Sequence, residues 1–245
     1  MLSWFSLKRI AEPELMDEDE EVGAYADAAA EAYLEAIDRS FVDHVERLFE
    51  PASGGRSVSG AVLDIGCGPG QIPIMLARRW PALRITGLDA GPAMIRRARN
   101  DAAAAGVDID FRVFRLGPQG ERRLPFDDAS FDLVTCNSTL HHLEDPLGLM
   151  DEMARVVKPE GAVLLRDLAR PPIAPAYPLH VRIFGRHYSG EMRRLYEMSV
   201  LAAYTMGELR ALLASSRLDD GRARAFNRGL THLGIEREAG AAISA

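Results

Sequence analysis

The sequence predicts an α/β protein built on a mostly parallel sheet, and three observations carry that prediction. Short apolar runs alternate with amphipathic stretches along most of the chain, as strands joined by helical crossovers require. The run Ala61 to Ile65 leads straight into Gly66-Cys67-Gly68-Pro69-Gly70. Ile72, Ile74, Met75, Leu76 and Ala77 then continue at mostly helical spacing, so the unit reads strand, loop, helix. A second strand pattern, Leu83 to Leu88, ends on Asp89, an acid 25 residues after Asp64. Open α/β sheets bind nucleotides beyond the carboxyl ends of such strands.

The elements follow in order. Ala24 to Phe49 is alanine-rich, with Tyr25, Ala29, Ala32, Tyr33, Ala36, Ile37, Phe41, Val45 and Leu48 near three-to-four spacing, which predicts one or two amphipathic helices before the sheet. Pro51 to Gly60 reads as a loop. Strands are expected near 61–65, 83–88, 109–115, 131–136 and 162–168, and helices near 71–79, 91–105 and 146–156. Glu144 and Asp145 open the last of these, with Pro146 in its first turn. A helix from Met206 to Ser215 leads to Ala223–Phe226 and His232–Ile235, a closing hairpin that turns within Asn227–Thr231. The interval Arg170 to Tyr204 opens on four prolines and then gathers aromatics and histidines. It follows the fifth strand, which makes it the candidate substrate cap.

The glycine loop narrows the ligand. Gly66, Gly68 and Gly70 are spaced Gly-x-Gly-x-Gly, one position short of the dinucleotide fingerprint. A carboxylate at Asp64 repels a pyrophosphate at the loop and welcomes an ammonium group. Asp89 ends the next strand, where an acid accepts ribose hydroxyls. One carboxylate for an ammonium and one for a ribose describes S-adenosylmethionine better than NAD.

On these residues the chain resembles the class I S-adenosylmethionine-dependent methyltransferases, in the broad group holding ubiquinone-type and small-molecule enzymes, from about Tyr25 to Ile235. Val62 to Gly70 resembles the first motif and Leu88-Asp89-Ala90 the second. Leu124-Pro125-Phe126 with Ser130 to Val134 resembles the approach to the fourth strand, Asn137 to Leu143 the loop after it, and Arg155 to Gly161 the turn before the fifth. The resemblance implies a Rossmann-like, seven-stranded, mostly parallel sheet with helices on both faces and the last strand antiparallel. It implies S-adenosylmethionine as cofactor and S-adenosylhomocysteine as product. Asp64, Ile65, Gly66, Cys67, Gly68 and Gly70 would hold the methionine moiety, Asp89 the ribose, and Ala90 and Met94 the adenine, with Leu116, Gly117, Asn137, Ser138 and Tyr25 completing the cofactor site. The chain departs from the family at Arg115 to Glu121, where no aspartate stands for the adenine amino group. Gln119 and Glu121 are the candidates there, beside backbone and stacking contacts.

Methyl transfer from a sulfonium asks mainly for alignment and dryness. A hydroxyl acceptor also needs a base, and His141 is the candidate catalytic residue, with packing or capping as its alternative. His141, His142, Arg166, Tyr177, Tyr188 and Tyr204 are the candidate substrate contacts. For the aromatics the competing expectation is core packing, and for Arg166-Asp167 it is an internal ion pair.

Composition sets the outer bounds. A length of 245 residues suits one domain, 24–237, with N-terminal helices in 24–50 and the cap at 170–204, between an acidic segment, 1–23, and a tail, 238–245. Residues 1–50 hold 14 acids and 4 bases, against 22 acids and 25 bases in the rest, which argues against a basic nucleic-acid arm. Residues 166–237 nevertheless hold 12 arginines and 7 acids, so a tRNA or other RNA acceptor stays an alternative, as does a noncatalytic S-adenosylmethionine-binding protein. No apolar run is long enough to span a membrane and no signal-peptide pattern opens the chain, so no membrane partner and a cytoplasmic location are expected. Cys67 and Cys136 are expected as reduced thiols. No compact ligand spacing implies a metal. A monomer and a homodimer are both compatible with the sequence.

Overall fold

A computed structural model describes residues 6–12, 32–53, 59–118 and 120–240, with side chains of its first helix described from 34 to 48. The elements are α1 (Ala32–Ser53), β1 (Gly60–Ile65), α2 (Gln71–Arg79), β2 (Leu83–Asp89), α3 (Pro92–Ala105), β3 (Asp110–Val113), β4 (Phe131–Asn137) and a 3₁₀ turn (Leu140–His142). They continue as α4 (Pro146–Val156), β5 (Val157–Leu168), α5 (Ala176–Phe184), a second 3₁₀ turn (Gly185–His187), α6 (Gly190–Ala202), α7 (Met206–Ser215), β6 (Ala223–Arg228) and β7 (His232–Arg237). Among the described residues the strands form one seven-stranded sheet in the order β3-β2-β1-β4-β5-β7-β6. β1 to β5 run parallel, and β7 is antiparallel to both its neighbours, β5 and β6.

The period of two along each strand sorts side chains to the two faces. Leu63 and Ile65 of β1, Val134 and Cys136 of β4 and Val163 and Leu165 of β5 pack under α4 and α7, with Leu149, Met153, Leu209 and Leu213. Val62, Leu133 and Leu164 point the other way, onto Phe41, Val45 and Leu48 of α1 and Ile72 and Leu76 of α2. Full burial of such side chains contributes about 1.5–3 kcal/mol each. The strand order reverses between β1 and β4, so the carboxyl ends of β1, β2, β4 and β5 share one edge at a topological switch point.

Predicted and observed boundaries coincide for α2, α4 and α7. Local capping chemistry explains the last two. Asp145 accepts a hydrogen bond from the Gly148 amide with Pro146 in the first turn, and Thr205 and Glu208 form a reciprocal capping box. Elsewhere tertiary pairing moved the ends. β5 begins at Val157, ahead of the expected 162, because Val157 already pairs with Phe131 before a register shift brings in the regular ladder at Leu133 and Ala162. β3 is shorter than expected because it pairs only with Thr86 to Asp89. α1 continues past Pro51 to Ser53, where a loop was expected. The closing turn is confined to 229–231, with Gly229 in the left-handed region at φ 65°. The expected start of the N-terminal helix, the acidic run from Asp17 to Glu21 and the tail from 241 onward lie outside the described residues.

Residues 6–12 run beside the segment that follows β5. Leu7 N–H donates to Pro172 O at 3.3 Å and Ile10 N–H to Leu201 O at 3.0 Å, and the Arg170 guanidinium binds Leu7 O. No helix among the described residues is long and apolar enough to cross a membrane.

Gly234, at the centre of β7, has no room for a side chain. A Cβ there would lie 2.2 Å from Leu165 O and 2.6 Å from the Phe226 ring, whereas one at Gly207, in the first turn of α7, would meet nothing within 4 Å. Gly234→Ala is therefore expected to lower stability by about 1–3 kcal/mol, and Gly207→Ala to leave it level or slightly raised, in denaturant titrations. Equal effects of the two would contradict this packing.

Candidate functional site

The glycine loop is built by backbone geometry. Gly66, Gly68 and Gly70 have φ of 73°, 51° and 88°, a region costly for residues with a Cβ. Gly66 and Cys67 donate their amides to Leu88 O at 2.7 and 2.9 Å, which ties the loop to the end of β2. A Cβ at Gly66 would collide with Thr139 Oγ1 at 2.1 Å, whereas one at Gly68 would meet nothing within 4 Å. The Asp89 carboxylate joins the two loops, accepting the Gly68 amide at 2.9 Å on Oδ2 and the Gly91 amide at 2.8 Å on Oδ1.

These loops wall a cleft of about 620 Å³ over the carboxyl edge of the sheet. That is the size of a small-ligand pocket. Among the acids that line it are Asp38 from α1, Asp64 from β1 and Asp89 from β2. Asp64 is almost wholly buried and accepts the Thr135 hydroxyl at 2.6 Å on Oδ1. Burial pushes its carboxyl up to about 7 against the Thr135 bond, with Asp89 and Asp38 adding repulsion. Asp38 is pushed up to about 6, by burial first, with the Arg166 guanidinium opposing and Glu35 reinforcing the rise. Burial and the charges of Asp89 and Asp64 push the Cys67 thiol well up, and both cysteines are free.

The far side of the cleft carries the histidines. His141 Nδ1 pairs with Asp167 Oδ1 at 2.6 Å, while the His141 amide donates to Asp167 Oδ2 at 2.8 Å. Burial lowers the His141 pKa, but the Asp167 charge and hydrogen bond outweigh it and the net shift is upward. His142 is pushed down to about 3, by burial first and then by His141, and is neutral at physiological pH. Glu12 reaches this corner from the N-terminal segment and accepts the Ser199 hydroxyl at 3.0 Å. Tyr188, Met192, Leu195 and Tyr196 line the adjoining wall.

Residues 63–165 match the family model described as a methyltransferase domain. The chain is 34% identical over 142 residues to the ubiquinone biosynthesis O-methyltransferase of Xanthomonas axonopodis pv. citri, covering 58% of this chain and 54% of that protein. The Xylella fastidiosa protein of the same name is 31% identical over 137 residues, 56% of this chain and 51% of its own. The chain thus spans about half the length of the curated relatives it matches. Residues 63–165 are thus similar to a methyltransferase domain. Solved structures agree at the level of fold. The plantazolicin methyltransferase BpumL, determined with a triazolic desmethylPZN analog and SAH, superposes with a TM-score of 0.66 over 90% of each chain at 14% identity. An Aquifex aeolicus SAM dependent methyltransferase gives a TM-score of 0.56 over 91% of this chain and 98% of its own, at 17% identity.

Of the residues singled out from sequence, the cleft is lined by Asp64, Ile65, Gly66, Cys67, Gly68, Asp89, Ala90, Met94, Leu116, Gly117, Asn137 and Ser138, and by His141, His142 and Tyr188. Five other residues singled out from sequence fall elsewhere. Gly70 is not in the lining and serves the loop's packing, since a Cβ there would press on Phe111 and Ala98 at 3.0 and 3.1 Å. Arg166 is buried on the α1 face, bonded to Asn137 Oδ1, Ser40 Oγ and Ile37 O and lying over the Phe41 ring. Its neighbour Asp167 points to the opposite face and serves His141, so no hydrogen-bonded Arg166–Asp167 pair forms. Tyr177 donates its hydroxyl to Glu197 O, and Tyr204 lies in the core with the Arg9 guanidinium 4.5 Å from its ring centre. Tyr25 and Gln119 lie outside the described residues, and Glu121 is exposed and absent from the lining.

Sequence reasoning missed Asp38, Glu12, Thr139 and His232, all in the lining. Asp38 had a usable signal, because it is an acid set one position after Ile37 in an amphipathic helix. Thr139 follows Ser138 in the same loop, whereas Glu12 and His232 meet the site only through long-range packing.

Burial of Asp64 makes a stability prediction with a definite sign. Its folded pKa of about 7 lies above the ordinary 3.8, so the folded state holds the proton more tightly and stability falls as pH rises from about 4 to about 7. The linked loss is on the order of 4 kcal/mol. Asp64→Asn, which keeps an oxygen for Thr135, is expected to flatten this part of the Tm-against-pH curve and raise Tm at pH 8. Superimposable curves for the two proteins would contradict it.

Proposed function

We propose that this chain binds S-adenosylmethionine in the cleft and passes its methyl group to a nucleophilic atom of a small molecule, leaving S-adenosylhomocysteine. The observation that carries the reading is the Asp89 carboxylate, braced by one backbone amide on each oxygen at the wall of the cleft. That is an acceptor pair suited to the two hydroxyls of a ribose. In this reading Ala90 and Met94 lie along one side of the adenine and Leu116 and Gly117 along the other. Ile65 to Gly68 follow the amino-acid moiety, Asp64 faces its ammonium, and Asn137 and Ser138 flank the methyl. Asp38, Asp64 and Asp89 together favour a ligand carrying a sulfonium and an ammonium and repel a diphosphate. This charge preference supports the assignment over NAD.

The acceptor we favour is a flat, largely apolar molecule bearing a hydroxyl. Met192, Leu195, Tyr188 and Tyr196 make an apolar and aromatic wall, and the curated relatives are named as O-methyltransferases. The hydroxyl oxygen attacks the methyl carbon in line with the departing sulfur, so the enzyme's work is alignment and exclusion of water. His141, oriented by Asp167, is the side chain offered to the acceptor's proton when only protein groups are present.

A nucleic-acid acceptor has less support, because the arginines concentrated in 166–237 are partly spent internally. Arg170 pairs with Glu208, Arg193 with Glu197, Arg194 with Glu191, Arg222 and Arg237 with Asp220, and Arg224 with Glu236. These pairs occupy half of the segment's twelve arginines, which weakens a phosphate-binding track.

Isothermal titration calorimetry tests the reading. The wild-type chain is expected to bind S-adenosylmethionine and S-adenosylhomocysteine saturably and NAD not at all. Asp89→Ala should weaken both by roughly 10- to 100-fold, the equivalent of losing charged hydrogen bonds worth about 1.5–3 kcal/mol. Unchanged affinity in a folded Asp89→Ala protein, checked by circular dichroism, would remove the assignment.

A further inference from the structure

We infer that Glu12, His141 and His142 form a site for one divalent transition-metal ion at the acceptor edge of the cleft. Asp167 accepts the His141 amide and faces Nδ1 of the ring, and in the neutral form that donates Nδ1–H to Asp167, Nε2 is a lone-pair donor. That Nε2 is buried without a hydrogen-bond partner, and so is His142 Nδ1. The first lies 3.8 Å and the second 3.6 Å from the same Glu12 Oε2, and the ligand atoms of all three residues fall within 4.8 Å of one another. The two unpartnered imidazole nitrogens and the Glu12 carboxylate thus form a small triangle in which a cation would find all three donors. A proton bridges one gap of such a triangle, whereas a metal ion bridges all three.

The donor set selects the ion. Two imidazole nitrogens and one carboxylate suit Zn²⁺, Fe²⁺, Co²⁺ or Ni²⁺ and not Mg²⁺ or Ca²⁺, which take oxygen ligands. With metal–ligand distances of about 2.0–2.1 Å, a tetrahedral ion wants its ligands roughly 3.3 Å apart. The two measured gaps to Glu12 therefore close by only a few tenths of an ångström. The outer contacts also fit. Asp167 on the far nitrogen of His141 is the carboxylate–histidine arrangement that orients metal-ligating imidazoles. The Ser199 hydroxyl holds the Glu12 carboxylate, and Arg9 anchors the segment by donating to Ala202 O at 2.6 Å and His141 O at 2.9 Å. Sequence spacing gave no hint of the site, because Glu12 arrives from the far end of the chain.

Three protein ligands leave coordination positions for the acceptor. Resting on the acceptor assignment above, the ion would take the acceptor's hydroxyl oxygen and acidify it, and the proton would leave to solvent. The oxygen then forms its bond to the methyl carbon as the carbon–sulfur bond breaks, and the sulfonium becomes a neutral thioether. His141 is then a ligand, and coordination takes over the role of a base.

The test uses the full chain stripped by chelator, titrated with Co²⁺ under visible absorption and with Zn²⁺ by calorimetry. S-adenosylhomocysteine binding is measured on the same sample. One equivalent of Co²⁺ giving ligand-field bands of a four- or five-coordinate centre is expected, with Zn²⁺ displacing it. Glu12→Gln and His142→Ala, each verified as folded by circular dichroism, should weaken Zn²⁺ at least 10-fold, and Asp167→Asn by roughly 10- to 100-fold. Absence of stoichiometric metal binding in a wild-type sample that binds S-adenosylhomocysteine overturns the metal site and leaves the methyltransferase reading standing. Metal binding that survives both Glu12→Gln and His142→Ala also overturns it, since the ion then sits elsewhere. Stoichiometric metal binding without S-adenosylhomocysteine binding supports the site and counts against the reading of the cleft.

Discussion

The Asp89 carboxylate is the contact on which the cleft depends. By accepting the amides of Gly68 and Gly91 it locks the loop after β1 to the loop after β2, and the Leu88 carbonyl adds the amides of Gly66 and Cys67 to the same junction. The left-handed glycines are the price of that closeness. Thr139 fills the space a side chain at Gly66 would need, so the loop after β4 is registered against the same turn. Three strand ends are thus held around one concavity by backbone geometry that few substitutions would preserve.

Electrostatics give the concavity its polarity. Buried acids are destabilising unless something answers their charge, and Asp38 and Asp64 respond by holding protons to about 6 and about 7. A cationic ligand beside them would offset this cost. The opposite edge follows the same logic with different partners: Asp167 raises the basicity of His141, while Glu12 supplies a second carboxylate against the paired imidazoles. The protein therefore presents carboxylates to both halves of the cleft.

What could be read in the sequence was local. The glycine spacing, the acids that follow apolar runs and the capping residues at Asp145 and Thr205 act within a few positions of where they stand, and each fixed an element or a loop. What could not be read depended on the third dimension. Arg166 and Asp167 are adjacent in sequence and suggested either a site pair or an ion pair, but the pleat sends one to α1 and the other to His141. Tyr188 and Tyr204 both lie in or beside the cap; one meets the cleft and the other the core, because aromatic spacing does not reveal which side of a helix or loop stays open. Glu12 was invisible for the plainest reason, since nothing near it in the chain foretells the histidines it meets.

The central claim is that two strand-end carboxylates address opposite parts of one adenosyl amino acid. A crystal structure with S-adenosylhomocysteine tests it most directly. The account predicts both ribose hydroxyls within hydrogen-bonding distance of Asp89, the adenine beside Ala90 and Met94, and the amino group on the Asp64 side of the glycine loop. A ligand bound with its ribose away from Asp89, or with its amino group pointing out of the loop, would contradict it.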